Sequence, residues 1–183
     1  MKRIVTFITF GTIFVRGAAA QTPTPSTAAE DFSNIQNFLC VTEGICTGGQ
    51  PSMENLEKMK AQGVRSVVNL RRANEYNFEE EAATSKNLDL RYFHIPVDKN
   101  NLKDEQVEEF LKVTGDPQNR PIFIHCTSAN RVGTFWMIRR VLFDKWKVED
   151  AEAEARKVGM HDDNLRDWAL DYIKRHRATD NKK

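Results

Sequence analysis

The chain has few cysteines and histidines, and neither sign of charge is in surplus. Its 183 residues include three cysteines and four histidines, and 27 basic residues nearly balance 26 acidic ones. A near-neutral chain without a basic stripe has no signature of nucleic-acid binding. The histidines, at positions 94, 125, 161 and 176, show no metal-ligand spacing. The sequence therefore predicts no metal and no cofactor.

The sequence also lacks an apolar run long enough to span a bilayer. Its longest one, residues 4–15, follows Lys2 and Arg3 and is shorter than the roughly 20 residues of a spanning helix. Because the small-residue site Ala18–Ala20 comes next, residues 1–20 are predicted to be a secretory signal peptide. An uncleaved membrane anchor is the alternative. Cleavage would leave 24 basic against 26 acidic residues and a periplasmic or secreted protein without stable membrane association.

Composition divides the remaining chain into three parts. Residues 21–30 are rich in Pro and Thr and are predicted to be a disordered linker. Residues 31–177 are predicted to form one catalytic domain, and residues 178–183 a polar tail. Within the domain, strand patterns at 64–70, 88–97 and 121–124 alternate with helical patterns at 53–62, 76–86, 103–114, 132–144, 148–158 and 164–177. This alternation indicates an α/β fold, a mostly parallel central sheet flanked by helices.

Three cysteines leave one unpaired. Residues 38–48 resemble a β-hairpin, and a three-residue loop at 42–44 would place Cys40 opposite Cys46. A Cys40–Cys46 disulfide is predicted, with two packed free thiols as the alternative. In both cases Cys126 is left over, and a free thiol in an oxidising compartment is easiest to explain if it is used.

The most informative motif surrounds that cysteine. The segment His125-Cys126-Thr127-Ser128-Ala129-Asn130-Arg131-Val132-Gly133 lies between an apolar strand and a helix. A tight loop there directs backbone N–H groups and the positive end of the helix dipole at one point. Arg131 can add a bidentate clamp, and the same field favours a Cys126 thiolate. We therefore predict a cysteine nucleophile at an anion site formed by residues 127–131. A buried structural cysteine is the alternative.

Two further positions suggest supporting roles. Asp98 follows a strand in a polar loop and is the first candidate for a general acid, with Asp104 a weaker one because a first helical turn already favours an acidic residue. Arg71, Arg72 and Glu75 follow the strand at 64–70, where ligands bind in open α/β sheets. A cation there could serve the anion pocket, or it could form a surface ion pair with Glu75. His125 is predicted to fix the loop by hydrogen bonds.

These residues resemble the cysteine-dependent tyrosine and dual-specificity phosphatase superfamily. The resemblance rests on the segment from His125 to Gly133 and on Asp98. Residues 48–52 and 68–71 are similar to bacterial phosphatase-like domains found with beta-lactamase-like hydrolases. The resemblance implies a phosphatase-like fold and hydrolysis of phosphate monoesters on a protein or a small molecule. It implies that Cys126 forms a phosphocysteine, Arg131 binds phosphate and Asp98 acts as acid and then base.

Two departures leave other functions open. The superfamily has five residues between Cys and Arg, whereas this chain has four. Rhodanese-type sulfurtransferases have a loop of similar length, so sulfur transfer or persulfide handling is one alternative. Val132 stands where Ser or Thr usually follows the Arg, and Thr134 is the nearest substitute. A non-catalytic anion-binding or partner-binding domain is therefore the second alternative.

Overall fold

The computed structural model describes residues 32–180. The predicted signal peptide and linker, and residues 181–183 of the predicted tail, lie outside the described residues. The described part contains five strands, six α-helices and one short 3₁₀ helix. In chain order they are β1 (Leu39–Thr42), β2 (Ile45–Gly48), α1 (Met53–Ala61), β3 (Ser66–Asn69), α2 (Phe78–Asn87), β4 (Arg91–His94), α3 (Asp104–Gly115), the 3₁₀ helix (Pro117–Asn119), β5 (Ile122–His125), α4 (Asn130–Leu142), α5 (Val148–Val158) and α6 (Asp163–Asp180).

The five strands form one sheet in the order β1-β2-β5-β3-β4. β2, β5, β3 and β4 run parallel to one another, and only β1 is antiparallel to its neighbour. The predicted mostly parallel α/β sheet is confirmed. The helical connections between its parallel strands cover both of its faces, as such sheets require.

Alternation of side chains along the strands divides the core into two clusters. Val67 and Phe123 pack on one face with Leu56 and Met59 of α1, while Val68 and the residues flanking Phe123 pack on the other. The second face carries the larger cluster, which α3, α4, α5 and α6 complete. Because successive strand side chains point to opposite faces, both layers of helices bury apolar surface. Phe32, at the start of the described chain, already belongs to the first cluster.

The β1–β2 hairpin carries the predicted disulfide. Cys40 lies opposite Cys46, and their sulfur atoms are bonded at 2.08 Å. The connection differs from the predicted three-residue loop, since only Glu43 and Gly44 separate the strands. An irregular register between Cys40 and Thr42 adds the residue that the shorter turn omits. The disulfide prediction is confirmed, and Cys126 is the free cysteine.

Several element boundaries differ from the predicted ones. β4 is limited to Arg91–His94 because β3, the strand it pairs with, is itself only four residues long. The helix that follows the cysteine begins at Asn130 rather than at Val132. At the other end of the chain, α6 continues through residues 178–180, which had been assigned to the polar tail. None of the helices in the described range is long and apolar enough to cross a bilayer.

Candidate active site

The loops that follow four strands meet at one edge of the sheet. β2, β3, β4 and β5 are parallel, and their last residues lie side by side in the order Gly48, His125, Asn69 and His94. The carboxyl ends of parallel strands are where ligands bind in open α/β sheets. Cys126 is the first residue after β5, so the fold brings it to this edge.

The loop from Cys126 to Ala129 is held from outside by the segment after β2. The backbone N–H of Gln50 donates to the Thr127 carbonyl at 3.1 Å. Because a peptide is planar and trans, the Ser128 amide in the same unit points away from Gln50. Ala129 has a left-handed φ of 64°, which turns the chain sharply into α4. The first amides of α4 have no carbonyl one turn earlier in the helix, so the loop ends at a dipole that favours an anion.

Arg131 reaches back across this loop and is clamped by a carboxylate. Its Nη1 and Nη2 donate to Glu75 Oε1 and Oε2 at 2.9 and 2.7 Å. Nη1 also donates to the Val97 carbonyl at 3.0 Å, and Nη2 to Thr127 Oγ1 at 3.0 Å. These contacts hold the guanidinium group of Arg131 in place beside the loop. Bidentate pairing of this kind positions as well as stabilises.

The charges around Arg131 reinforce one another. Burial alone would lower the pKa of Arg131, but hydrogen bonds to Glu75 and the negative charge of an ionised Cys126 raise it above its usual value. Burial opposes ionisation of Glu75, yet Arg131 and Arg72 lower its pKa from 4.5 to about 2. The guanidinium and the carboxylate are therefore both charged across the physiological range, and the thiol lies within the field of a fixed cation.

Cys126 and Arg131 share a small pocket of about 200 Å³. Its wall combines the loop with residues from the segments after β3 and β4 and with one apolar residue of α6. The lining residues are Arg72, Glu75, Lys99, Asn100, Cys126, Thr127, Ser128, Asn130, Arg131 and Leu165. This wall is polar and carries three cations against one carboxylate, which suits a small anion.

Asp98 lies beside the pocket and does not line it. Its Oδ2 is 3.3 Å from Arg72 Nη1, and its Oδ1 accepts the Asn100 N–H at 3.0 Å. Arg72 also donates from Nε to Glu75 Oε1 at 2.6 Å. Asp98 is thus connected to the pocket wall through one cation, and its carboxylate is about one-third exposed.

Beneath the loop, His125 is completely buried and paired. Its Nε2 lies 2.7 Å from Glu81 Oε1, and both side chains have no exposed surface. Glu81 Oε2 accepts hydrogen bonds from Gln50 Nε2 at 3.1 Å and from Asn69 Nδ2 at 3.2 Å. His125 therefore does not face the pocket as a base would, in agreement with its predicted supporting position.

Three further predicted residues, Arg71, Gly133 and Thr134, do not line the pocket. Arg71 is buried and donates from Nη1 to Gln50 Oε1, so Arg72 is the cation that the segment after β3 contributes. Thr134 is buried, and its hydroxyl donates to the Asn130 carbonyl one turn earlier in α4. A Cβ at Gly133 would lie 2.6 Å from the Ala155 carbonyl oxygen, so this glycine permits α5 to approach α4.

The remaining predicted residues are placed as follows. Asp104, the weaker acid candidate, binds Arg175 of α6 and does not line the pocket. The side chain of Asn130 accepts the His161 N–H at 3.0 Å, so it also fixes the loop between α5 and α6. Ala129 is buried and contributes backbone shape only.

Sequence reasoning missed the two carboxylates that organise the site. For Glu75 the sequence predicts only a surface ion pair with a neighbouring arginine, because Arg131, the residue that it binds, is 56 positions away in the chain. Glu81 is one of three consecutive glutamates, Glu79–Glu81, and nothing in their sequence distinguishes the buried one. Gln50 lies in the segment 48–52, and nothing in the sequence of this segment marks its contact with Glu81. In the part of the chain that the structure describes, no group of three His, Cys, Asp or Glu side chains could hold a metal ion.

One family model matches most of the chain. It is described as the DSP-PTPase phosphatase fused to NAD+ kinase, and it matches residues 24–167. This range includes every element from β1 to α5, the first residues of α6 and every residue that lines the pocket.

Individual relatives are more distant. A beta-lactamase hydrolase-like protein from Xylella fastidiosa (strain Temecula1 / ATCC 700964) is 22% identical over 117 residues, which cover 62% of this chain and 27% of the relative. The inositol diphosphatase DSP2 of Oryza sativa subsp. japonica is 33% identical over 94 residues, which cover 49% of this chain and 46% of that protein. The chain thus spans about a quarter to a half of the length of these curated relatives.

A solved structure shows the same fold. The core catalytic domain of the PP-IP phosphatase SIW14 from S. cerevisiae, in complex with citrate, superposes with a TM-score of 0.64 at 22% identity. The match covers 80% of this chain and 94% of that domain. At this identity the similarity concerns the fold alone.

Proposed function

Because the chain belongs to the DSP-PTPase phosphatase family whose model matches residues 24–167, we propose that it is an exported cysteine-dependent phosphatase that hydrolyses phosphate monoesters. The observation that carries the proposal is the placement of Cys126 and Arg131 in one polar pocket of about 200 Å³ at the carboxyl edge of the sheet. The pocket is built for an anion that contacts a thiolate.

The first chemical step is in-line displacement at phosphorus. The Cys126 thiolate attacks, a sulfur–phosphorus bond forms, and the bond from phosphorus to the ester oxygen breaks. Arg131 and the amides at the start of α4 stabilise the charge on the equatorial oxygens, as electrostatic catalysis of phosphoryl transfer requires. Glu75 holds Arg131 in place through both Nη atoms, which leaves the Nε edge of the guanidinium for the phosphate.

Asp98 is the proposed acid. It donates a proton to the departing ester oxygen, which is then released as an alcohol or phenol. Its ion pair with Arg72 keeps it beside the pocket mouth, and its partly exposed side chain can approach a bound substrate.

The second step returns the enzyme to its starting state. The Asp98 carboxylate takes a proton from a water molecule, the water oxygen bonds to phosphorus, and the sulfur–phosphorus bond breaks to release inorganic phosphate and the thiolate. Val132 supplies no hydroxyl for this step, and the Thr134 hydroxyl is bound to the Asn130 carbonyl. Breakdown of the phosphocysteine therefore depends on Asp98 and on the pocket.

Export is proposed on independent grounds. The Cys40–Cys46 disulfide in the hairpin is typical of proteins that mature in an oxidising compartment. The leader predicted for residues 1–20 supports a periplasmic or secreted location. The test is N-terminal sequencing of the protein recovered from its native host. Gln21 is expected as the first residue. A chain that still begins at Met1 in the cytoplasm contradicts it.

The catalytic proposal is tested with the wild-type protein and Cys126→Ser on a generic aryl phosphate. Wild type should release phosphate, and rapid quenching should trap a phosphorylated cysteine. Cys126→Ser should lose at least about a thousandfold in kcat, because a serine hydroxyl at this position is far less acidic than a thiol and a much weaker nucleophile. Phosphate release that survives the substitution would remove Cys126 from the mechanism.

The same proteins assayed on thiosulfate with cyanide test the sulfurtransferase alternative that the four-residue loop leaves open. Thiocyanate formation without phosphate release would replace the phosphatase proposal by sulfur transfer. Neither product, with retained binding of inorganic phosphate, would favour a non-catalytic anion-binding domain.

A further inference from the structure

One buried carboxylate lies behind the pocket and takes no part in the mechanism above. Glu81 belongs to α2 and has no exposed surface, although its neighbours Glu79 and Glu80 are exposed. A buried charge is retained only where partners compensate its lost hydration. The partners of Glu81 come from three other parts of the fold, and all of them adjoin the anion loop.

The nearest partner is His125. Its Nε2 is 2.7 Å from Glu81 Oε1, and its ring stacks on Phe123 with 5.7 Å between ring centroids. Neither ring nitrogen of His125 nor Glu81 Oε1 has a hydrogen bond of good angular geometry among the described residues, so the 2.7 Å separation is a close contact and not an aligned hydrogen bond. The ring is therefore fixed by the carboxylate on one side and by an apolar face, and it is adjacent in sequence to the nucleophile.

The charges around the pair favour an ionised carboxylate. Burial would raise the pKa of Glu81, but the attraction of His125 and Arg71 and a hydrogen bond from Gln50 lower it below its usual value. The other titratable groups that face it are Tyr76 and Tyr92. Burial and the charge of Glu81 raise the pKa of both phenols, so both are neutral at physiological pH.

A second connection leads from Glu81 to the loop. Gln50 Nε2 donates to Glu81 Oε2, Gln50 Oε1 accepts from Arg71, and the Gln50 backbone N–H donates to the Thr127 carbonyl. Both ends of the Gln50 amide are thus occupied, which fixes the residue that supports the loop. Arg71 is committed to Gln50 and to the Glu75 carbonyl, and His125 is the side chain that faces Glu81 Oε1.

We propose that Glu81 is a positioning residue of the active site, which holds the His125 ring through the buried contact at Nε2 and through it fixes the anion loop. This role deepens the proposed phosphatase function and rests on it for its effect on turnover. Glu81 touches no substrate and acts through His125, with Gln50 as a second brace.

The direct test is the nitrogen-15 spectrum of the histidine rings in the full-length protein at pH 7. His125 is assigned by comparison with His125→Gln. Nε2 of His125 is expected to carry a proton in wild type and in Glu79→Gln, a matched control that removes an exposed glutamate from the same helix. Its signal is expected to shift in Glu81→Gln, where an amide replaces the carboxylate that it faces. An Nε2 without a proton in wild type would overturn the contact, and this spectrum decides even if the Glu81 variant does not fold.

The functional test is a double-mutant cycle on kcat/KM with an aryl phosphate. Glu81→Gln alone should lower kcat/KM by about tenfold or more, which corresponds to the penalty for leaving one buried polar group without its partner. In a His125→Gln background the same substitution should change kcat/KM by less than about threefold, because the group it acts through is gone. Additive losses would show that Glu81 has a merely structural role.

These measurements separate the two proposals. If the wild-type protein releases no phosphate, the proposed function is overturned, and the ring spectrum still tests the contact between His125 and Glu81. If the wild type hydrolyses phosphate but His125 Nε2 carries no proton, only the role of Glu81 is overturned.

Discussion

Replacing Glu75 by glutamine should make the stability of the protein less dependent on pH. Glu75 pairs with Arg131 and Arg72, and its pKa falls from 4.5 in an unperturbed carboxyl to about 2 in the folded protein. A depressed pKa means that the folded state prefers the ionised form. The stabilisation is therefore fully present above the unfolded pKa and is lost as the pH falls toward the folded one.

The size of the effect follows from that difference in pKa. A change of about 2.5 units at about 1.36 kcal/mol each corresponds to about 3 kcal/mol of stabilisation at pH 7. The linkage relation leaves about 1 kcal/mol of it at pH 3. Glu75 is only 19% exposed, so solvent screening reduces these figures modestly. Glu75→Gln also leaves Arg131 buried with the Val97 carbonyl and Thr127 as its remaining polar partners, a cost that does not depend on pH in this range.

The assay is urea unfolding of wild type, Glu75→Gln and Glu79→Gln at pH 7 and at pH 3. Glu75→Gln should be less stable than wild type at pH 7, and the gap should narrow by about 2 kcal/mol at pH 3. Glu79→Gln, an exposed carboxyl on α2, should show little change. A gap between wild type and Glu75→Gln that stays constant with pH would refute the charged pair as the source of the stabilisation.

Three further predictions concern other parts of the molecule. Asp98→Asn should slow phosphate release most for alkyl phosphates, whose leaving oxygen needs a proton, as measured by kcat against leaving-group pKa. Reduction of the Cys40–Cys46 disulfide, which closes a short loop, should lower the free energy of unfolding by about 2 kcal/mol in urea titrations with and without reductant. Gly133→Ala should destabilise the protein by about 1–3 kcal/mol, because its Cβ would lie 2.6 Å from the Ala155 carbonyl oxygen.

Each of these has an opposite outcome that can be observed. Equal rates for Asp98→Asn and wild type on alkyl phosphates would remove Asp98 as the acid. An effect of reductant that persists in a Cys40→Ser/Cys46→Ser variant would show that the hairpin disulfide is not its cause. A melting temperature of Gly133→Ala equal to that of wild type would mean that α5 can move away from α4 without cost.

The arrangement of the fold was largely predictable because it depends on local patterns. β-branched runs alternating with amphipathic helices predicted the parallel sheet, and the odd cysteine together with the hairpin pattern predicted the disulfide. The end of α1 was predictable because Gly63 follows it, and a helix commonly ends at a glycine in the left-handed region. In the structure Gly63 has a φ of 90°. The boundaries of β4 were less predictable, since its pairing with the short strand β3 limits them.

By itself, the sequence determined which residues are proposed to carry the chemistry. Cys126 and Arg131 lie in one short motif between a strand and a helix, so their proximity follows from chain connectivity. Only the tertiary structure decided which of the other charged residues join them. It brought Arg72 rather than Arg71 to the pocket, set Glu75 against Arg131 and buried Glu81 against His125. These pairings join residues 44 to 56 positions apart. The register of the parallel strands and the burial of these side chains decide which residues pair. Neither can be predicted from the local sequence.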